Sequence, residues 1–231
     1  MKLNLKHVQV LYEDNHLIAL NKPAGWLVHG DETKDTPFTD YVKQWIKEKY
    51  DKPGKVFLGV IHRIDRPVSG AIIFAKTSKG LAKMNEVFKK RAIKKVYWAI
   101  TNKTPHELEG RLNHFIKKDA KKNTSNVINM KGKNNKTYKE AILDYKVIGR
   151  LAGHHLIEIR LHTGRSHQIR AQLGHIGCPV KGDLKYGFTV PNVDRTIHLH
   201  SRYLEFEHPV KKELIKITAP LPKDQVWNLF D

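Results

Sequence analysis

The sequence predicts an α+β fold built on a largely antiparallel sheet. Strand-like segments outnumber helix-like ones, and they fall in adjacent pairs joined by short turns. No internal repeat and no linker rich in Gly, Ser or Pro interrupts the 231 residues, so residues 1–231 are read as one domain.

Taken in order, residues 9–12 and 16–20 read as two strands, with Glu13, Asp14 and Asn15 as the turn between them. Asn21-Lys-Pro-Ala-Gly-Trp26 then breaks the pattern, because Pro23 lacks a donor and Gly25 permits unusual dihedrals. It reads as a structural turn, and Lys22 is given no role. Residues 36–50 read as a helix with Phe38, Val42, Trp45 and Ile46 on its core face. Two apolar runs, 56–61 and 71–75, read as strands. Residues 78–91 form a second helix with Leu81, Met84, Val87 and Phe88 inward and Ser78 as its cap. Its basic side, with Lys94 and Lys95, is either a solvated face or a phosphate-contacting patch. Residues 95–101 form a strand carrying Tyr97 and Trp98.

Residues 117–139 differ from everything else. Lysine recurs eight times there against the single acid Asp119, with Gly, Asn and Thr filling most of the remainder. A polar stretch of this length is functional or disordered, and it is read as a mobile arm that grips a polyanion. Residues 141–148 and 156–162 are strands, the second alternating Ile157, Ile159 and Leu161 with polar residues. A helix follows over 166–176 with Ser166 as N-cap, which puts Arg165 just before its start. Residues 197–206 and 213–219 are strands, and 224–230 is a short closing helix.

Composition narrows the function. Lys plus Arg number 42 against 23 acids, a net of +19 with neutral His, and nucleic acid is the partner this favours. No apolar run approaches the ~18 residues of a membrane span. No apolar leader opens the chain, and the lone Cys178 fits a reducing cytoplasm. His154-His155 and His198-Leu-His200 are the closest histidine pairs, but there is no HExxH or Cys/His framework, so no metal is predicted.

The densest cluster of chemistry is Ile61-His-Arg-Ile-Asp-Arg-Pro-Val-Ser-Gly70, between the two apolar runs. On residues alone it is either a surface turn with solvated ion pairs or a site for an ionised carboxylate, Asp65, among cations. This stretch resembles the catalytic motif of the RluA family of RNA pseudouridine synthases. Four more stretches resemble that family in the same order: Asn21-Lys-Pro-Ala-Gly25, Lys95-Val-Tyr-Trp-Ala99, Gly164-Arg-Ser-His-Gln-Ile-Arg170 and His175-Ile-Gly-Cys-Pro-Val-Lys-Gly-Asp183.

The resemblance covers roughly residues 8–220. It implies a central mixed sheet flanked by helices and split by a cleft, in a catalytic domain lacking the small N-terminal RNA-binding domain of many relatives. It implies that uridine in RNA is isomerised by breaking the bond from ribose to the base nitrogen, rotating the base, and reattaching it through carbon 5. No cofactor is implied, and the sequence has no Walker, GxGxxG or CxxC motif. Asp65 matches the essential aspartate, acting as nucleophile or as base on the ribose. Arg165 matches its ion-pair partner, and Arg63 matches the arginine that enters the RNA stack when the target base flips out. Tyr97 matches the tyrosine that stacks on the flipped uracil and takes part in proton removal. Ile64 and Val68 stand where leucine and threonine are usual. His62, His167 and Gln168 are assigned to support.

RNA contacts are expected from Arg63, Arg66, Lys95 and Arg170, and in the arm from Lys121, Lys122, Lys131 and Lys133. The RNA is transfer or ribosomal; residues 21–29 and Asp65-Arg-Pro67 lean towards the transfer RNA branch. A cytoplasmic monomer away from membranes is expected. Two other readings compete: a catalytically inactive RNA-binding module on the same fold, and a metal-dependent RNA hydrolase.

Overall fold

Antiparallel strands dominate residues 9–30, 34–129 and 137–231, the part of the chain that the computed structural model describes. The chain divides into two compact units, Met1–Ile93 with Ser201–Pro220, and Lys94–His200 with Leu221–Asp231. Two of the boundaries fall inside strands, in β5 (Ile93–Thr101) and β10 (Leu199–Glu207), which is why no linker composition marks them.

In the first unit the strand order is β1 (Gln9–Glu13), β2 (Leu17–Lys22), β4 (Ser69–Ala75), β10, with β3 (Gly59–Val60) on β4 and β11 (Leu214–Thr218) on β10. The pairs β1/β2, β2/β4, β3/β4 and β10/β11 are all antiparallel. β4 is buried at all seven positions, so its run of apolar residues needs no alternation. One face carries Leu17, Ala19, Ala71 and Ile73 into a core shared with Met84 of helix α2 (Ser78–Lys89) and with Leu204, Phe206 and Ile217. From the opposite face, the Phe74 ring meets that of Phe38, which opens helix α1 (Phe38–Lys49), at 6.2 Å between centroids. Phe38, Val42 and Ile46 of α1 are buried as expected. α2 is capped by Thr77 rather than Ser78: its Oγ1 accepts the Gly80 N–H at 3.0 Å. Gly70 has φ +110, and a Cβ there would stand 2.4 Å from the Ser201 carbonyl oxygen, so only glycine lets the catalytic-motif strand approach β10 this closely.

The second unit orders its strands β5, β9 (His154–Leu161), β8 (Lys139–Leu151), β6 (Glu109–Asp119), β7 (Thr124–Ile128), again with antiparallel pairs. β8 and β9 meet through Ala152 and Gly153, both at positive φ, the geometry that matches a two-residue hairpin to strand twist. Ile100, Leu156 and Trp227 form a core with Trp98, Leu221, Val226 and Phe230 against it.

Four expectations change here. The strand read over 56–61 is only the two residues of β3, Gly59–Val60. Much of the region read as an irregular arm is a hairpin: Lys117, Lys118 and Asp119 end β6 and pair with Asn126, Ser125 and Thr124 of β7. Lys131 and Lys133 lie outside the described residues. The helix expected over 166–176 is shorter, α3 (Gln168–His175), because His167 sits in the left-handed region (φ 51) and Ser166 belongs to the preceding turn. The closing helix is a single 3-10 turn, Trp227–Leu229, led in by Asp224, whose Oδ1 accepts the Val226 and Trp227 N–H groups.

Candidate active site

In the first unit, β3 hands the chain to the turn that carries Asp65, and β4 takes it up again at Ser69. Ile64 and Val68 are buried on either side of Asp65 and pin the turn to the core. The Val68 N–H donates to the Asp65 carbonyl at 3.0 Å. His62 is structural, as expected: its Nε2 accepts the Ile73 N–H at 3.0 Å and its ring stacks on Phe88. Arg63 is exposed, which suits a side chain that enters an RNA stack.

Asn21 and Lys22, read as part of a turn, end β2, and Arg66 reaches across to the loop that follows, residues 23–26. Its Nε donates to the Gly25 carbonyl at 3.1 Å, and its own carbonyl accepts the Gly25 N–H at 2.8 Å. Its guanidinium also pairs with Asp35 at 2.7 Å. The 23–26 loop is therefore a clasp on the Asp65 turn.

Inside that clasp is Lys22, the residue that sequence reasoning left without a role. It is 0% exposed, so it does not meet RNA. Its Nζ donates to the carbonyls of Pro23 (2.9 Å), Trp26 (2.8 Å) and Arg66 (3.3 Å). Burial pushes its ammonium down to about 7, against the opposing pull of the Asp65 charge, with Arg66 lowering it further. The Asn-Lys-Pro-Ala-Gly stretch advertises the turn, but a lysine in a basic protein carries no sign of burial.

The second unit carries the other expected residues. Tyr97 and Lys95 lie two apart on β5 and so share a face of that strand. Tyr97 is 7% exposed and stands opposite Ile159 of β9. The Lys95 ammonium lies 3.4 Å from where a Cβ on Gly164 would be, which brings it to the Arg165 loop.

Arg165 is held from two sides. Its N–H donates to Gln168 Oε1 at 3.0 Å and its Nε to the Glu140 carbonyl at 2.9 Å. Gln168, buried, also accepts from Thr163 Oγ1 at 2.8 Å and donates to the Ile142 carbonyl at 3.1 Å, so it fixes the loop as expected. The hairpin joins in: Ser125 of β7 donates through Oγ to the Ser166 carbonyl at 2.7 Å, and through its N–H to the Tyr186 hydroxyl at 2.8 Å. That hydroxyl also meets His167 Nδ1 at 2.8 Å.

Arg170 is a correction. Expected on RNA, it is instead 4% exposed and grips Asp183 with two hydrogen bonds, Nε to Oδ2 at 2.6 Å and a terminal nitrogen to Oδ1 at 2.9 Å. Its guanidinium also lies over the Tyr186 ring at 5.1 Å. A buried, doubly bonded guanidinium ties α3 to Asp183 and is not offered to phosphate. Lys121 and Lys122 are exposed at the tip of the β6–β7 hairpin, where Asp119 Oδ1 accepts the Lys122 N–H at 3.0 Å.

The first unit thus carries the Asp65 turn, and the second carries Tyr97 and the braced Arg165. Residues 16–175 match the model of the RNA pseudouridylate synthase family. The tRNA pseudouridine synthase C of Haemophilus influenzae is 34% identical over 239 residues, spanning 96% of this chain and 95% of that protein. The ribosomal large subunit pseudouridine synthase D of Pseudomonas aeruginosa is 30% identical over 236 residues, spanning 96% of this chain and 71% of that one. Among solved structures, human RNA pseudouridylate synthase domain containing 4 superposes with a TM-score of 0.82 at 25% identity, covering 97% of this chain and 94% of that one. The chain belongs to the RluA family of RNA pseudouridine synthases and is an isomerase of uridine in RNA. The readings as an inactive RNA-binding module and as an RNA hydrolase fall away.

Proposed function

We propose that the substrate is a structured transfer or ribosomal RNA, and that Asp65, Tyr97 and Arg165 carry the reaction. The observation that carries this reading is the Asp65 turn itself: a half-buried residue whose backbone is fixed by buried flanks and by the Lys22 and Arg66 clasp. Asp65 acts as an anion on the ribose or base as the bond from ribose to N1 breaks. The base turns, carbon 5 bonds to the anomeric carbon, carbon 5 loses a proton and N1 gains one. Tyr97 stacks on the uracil and Arg165 contributes positive charge to the reaction. The exposed Arg63 enters the RNA stack, and the exposed Arg66, Lys121 and Lys122 and the half-buried Lys95 contact the RNA backbone, as do Lys131 and Lys133 of the same basic stretch, 117–139. The 34% identical relative acts by its name on tRNA and the 30% identical one on ribosomal RNA. A cytoplasmic monomer without cofactor is the form we propose. Among the described residues no helix is long and apolar enough to cross a membrane.

Mapping pseudouridines in total RNA from cells with and without the gene identifies the target. A site lost from a transfer or ribosomal RNA is expected, and an unchanged map in both would overturn the substrate reading. Turnover by the purified protein is expected to persist in EDTA, and its loss there with rescue by a divalent ion would contradict the cofactor-free form.

A further inference from the structure

We propose that Ser125 is a positioning residue for Arg165, acting with Tyr186 to fasten the β6–β7 hairpin to the turn that carries Arg165, so that RNA held by the hairpin sets that turn for the reaction. This rests on the reading of Arg165 as part of the catalytic machinery and of the hairpin lysines as RNA contacts.

The turn is tight. The Gln168 N–H donates to the Arg165 carbonyl at 3.2 Å while Gln168 Oε1 accepts the Arg165 N–H at 3.0 Å, so Ser166 and His167 are its two middle residues. His167 lies in the left-handed region, φ 51 and ψ 24, which a non-glycine residue keeps only where its surroundings hold it. Both middle residues are held from the hairpin side. Ser125 Oγ donates to the Ser166 carbonyl at 2.7 Å. The Tyr186 hydroxyl accepts the Ser125 N–H at 2.8 Å and so has its own proton left for His167 Nδ1, also at 2.8 Å. Burial pushes that hydroxyl above its ordinary value, against the pull of the Ser125 N–H and the Arg170 cation, so the proton stays in place. Ser125 is buried and stands in register with Lys118 of β6, so a shift of the hairpin carries it along. A further tie, from Lys185 Nζ to the Asn123 carbonyl at 3.3 Å, joins the Tyr186 segment to the tip where the exposed Lys121 and Lys122 stand. The segment is seated in turn on α3: a Cβ on Gly174 would lie 2.5 Å from the Tyr186 carbonyl oxygen, so only glycine admits this approach. The hairpin, the Tyr186 segment and the Arg165 turn thus form one hydrogen-bonded network with lysines at its outer end and Arg165 at its inner end.

The test measures release of label from carbon 5 of uridine in bulk RNA from cells lacking the gene, with rates referred to the folded fraction of each variant. Ser125→Ala is expected to lower kcat by about tenfold or more, the scale of what a small misplacement of a catalytic group costs, with KM for RNA little changed. Tyr186→Phe keeps the ring beside Arg170, removes only the hydroxyl, and is expected to do the same. Wild-type kcat in either folded variant overturns the proposal. So does a raised KM at wild-type kcat, which is the mark of a hairpin that only grips RNA. If neither variant folds, amide exchange of residues 164–168 decides, measured at saturating bulk RNA in wild type and in a variant carrying Lys121→Ala with Lys122→Ala. RNA is expected to slow exchange in the turn less in that variant, and equal slowing overturns the coupling. Arg165→Met separates the two claims. If it turns over like wild type, the reading of Arg165 fails and the proposal falls with it. If it is inactive while Ser125→Ala turns over like wild type, the reading of Arg165 stands and Ser125 is not its positioning residue.

Discussion

Arg170 and Asp183 show how far the fold can change the meaning of a single side chain. In the sequence Arg170 is one more cation in a protein with a net charge of +19; in the fold it is 4% exposed and bonded twice to a carboxylate. Removing one partner leaves the other charge buried and uncompensated, a loss of roughly 3–5 kcal/mol. Arg170→Met is therefore expected to lower the thermal midpoint clearly while leaving RNA affinity of the folded protein unchanged. A variant that melts like wild type and binds RNA more weakly would restore the phosphate-contact role. Asp14 is a second residue with a measurable signature. Burial pushes its carboxyl up, but the Leu17 and His16 N–H groups, Lys211 and Tyr12 outweigh that and hold it down at about 2. A carboxyl depressed in the folded state contributes stability that is present above its unfolded value and lost as pH falls through the folded one. Asp14→Asn should thus narrow the loss of stability between about pH 4 and pH 2, measured by denaturant midpoints. An identical acid slope in the variant would contradict it. The roles proposed for Asp65, Tyr97 and Arg165 rest on motif resemblance. The burial of Lys22 was not legible, because it is decided by three carbonyls that come from loop geometry, not from residue type.

At the scale of elements, strands that bury both faces or alternate were readable, and so were the apolar faces of α1 and α2. The β6–β7 hairpin was not. In β6 the inward positions include His114, whose Nδ1 lies 3.1 Å from Gln172 Nε2, so a polar residue occupies a core slot and hides the period of two. Flanking lysines hide it further. The true start of α3 is hidden for a similar reason: Gln168 caps the Arg165 N–H with its side chain from inside the helix, and Ser166 gives its carbonyl to Ser125. The hairpin thus joins the exposed Lys121 and Lys122 to the backbone of the Arg165 loop. Replacing Lys121, Lys122, Lys131 and Lys133 by Ala should flatten the salt dependence of RNA binding by a slope of roughly 0.7 to 0.9 for each phosphate no longer neutralised. Thermal stability should barely change, since exposed charges contribute little to the fold. Parallel lines for variant and wild type across a salt series would leave these lysines with solubility alone.

For the whole molecule, the excess of cations and the chemistry divide the labour. On the proposed reading, affinity for RNA comes from many exposed lysines and arginines, each screened by salt, whereas turnover depends on one carboxylate. The two should therefore separate in a single substitution. Asp65→Asn keeps the size of the side chain and removes its negative charge. Release of label from carbon 5 of uridine, measured in EDTA on RNA from cells lacking the gene, is the direct reading of isomerisation. With wild type, label is released; with Asp65→Asn, release is expected to vanish while RNA affinity at the same salt stays unchanged. Release by the variant within tenfold of wild type would contradict the assignment of Asp65, a residual rate too high for a missing catalytic group.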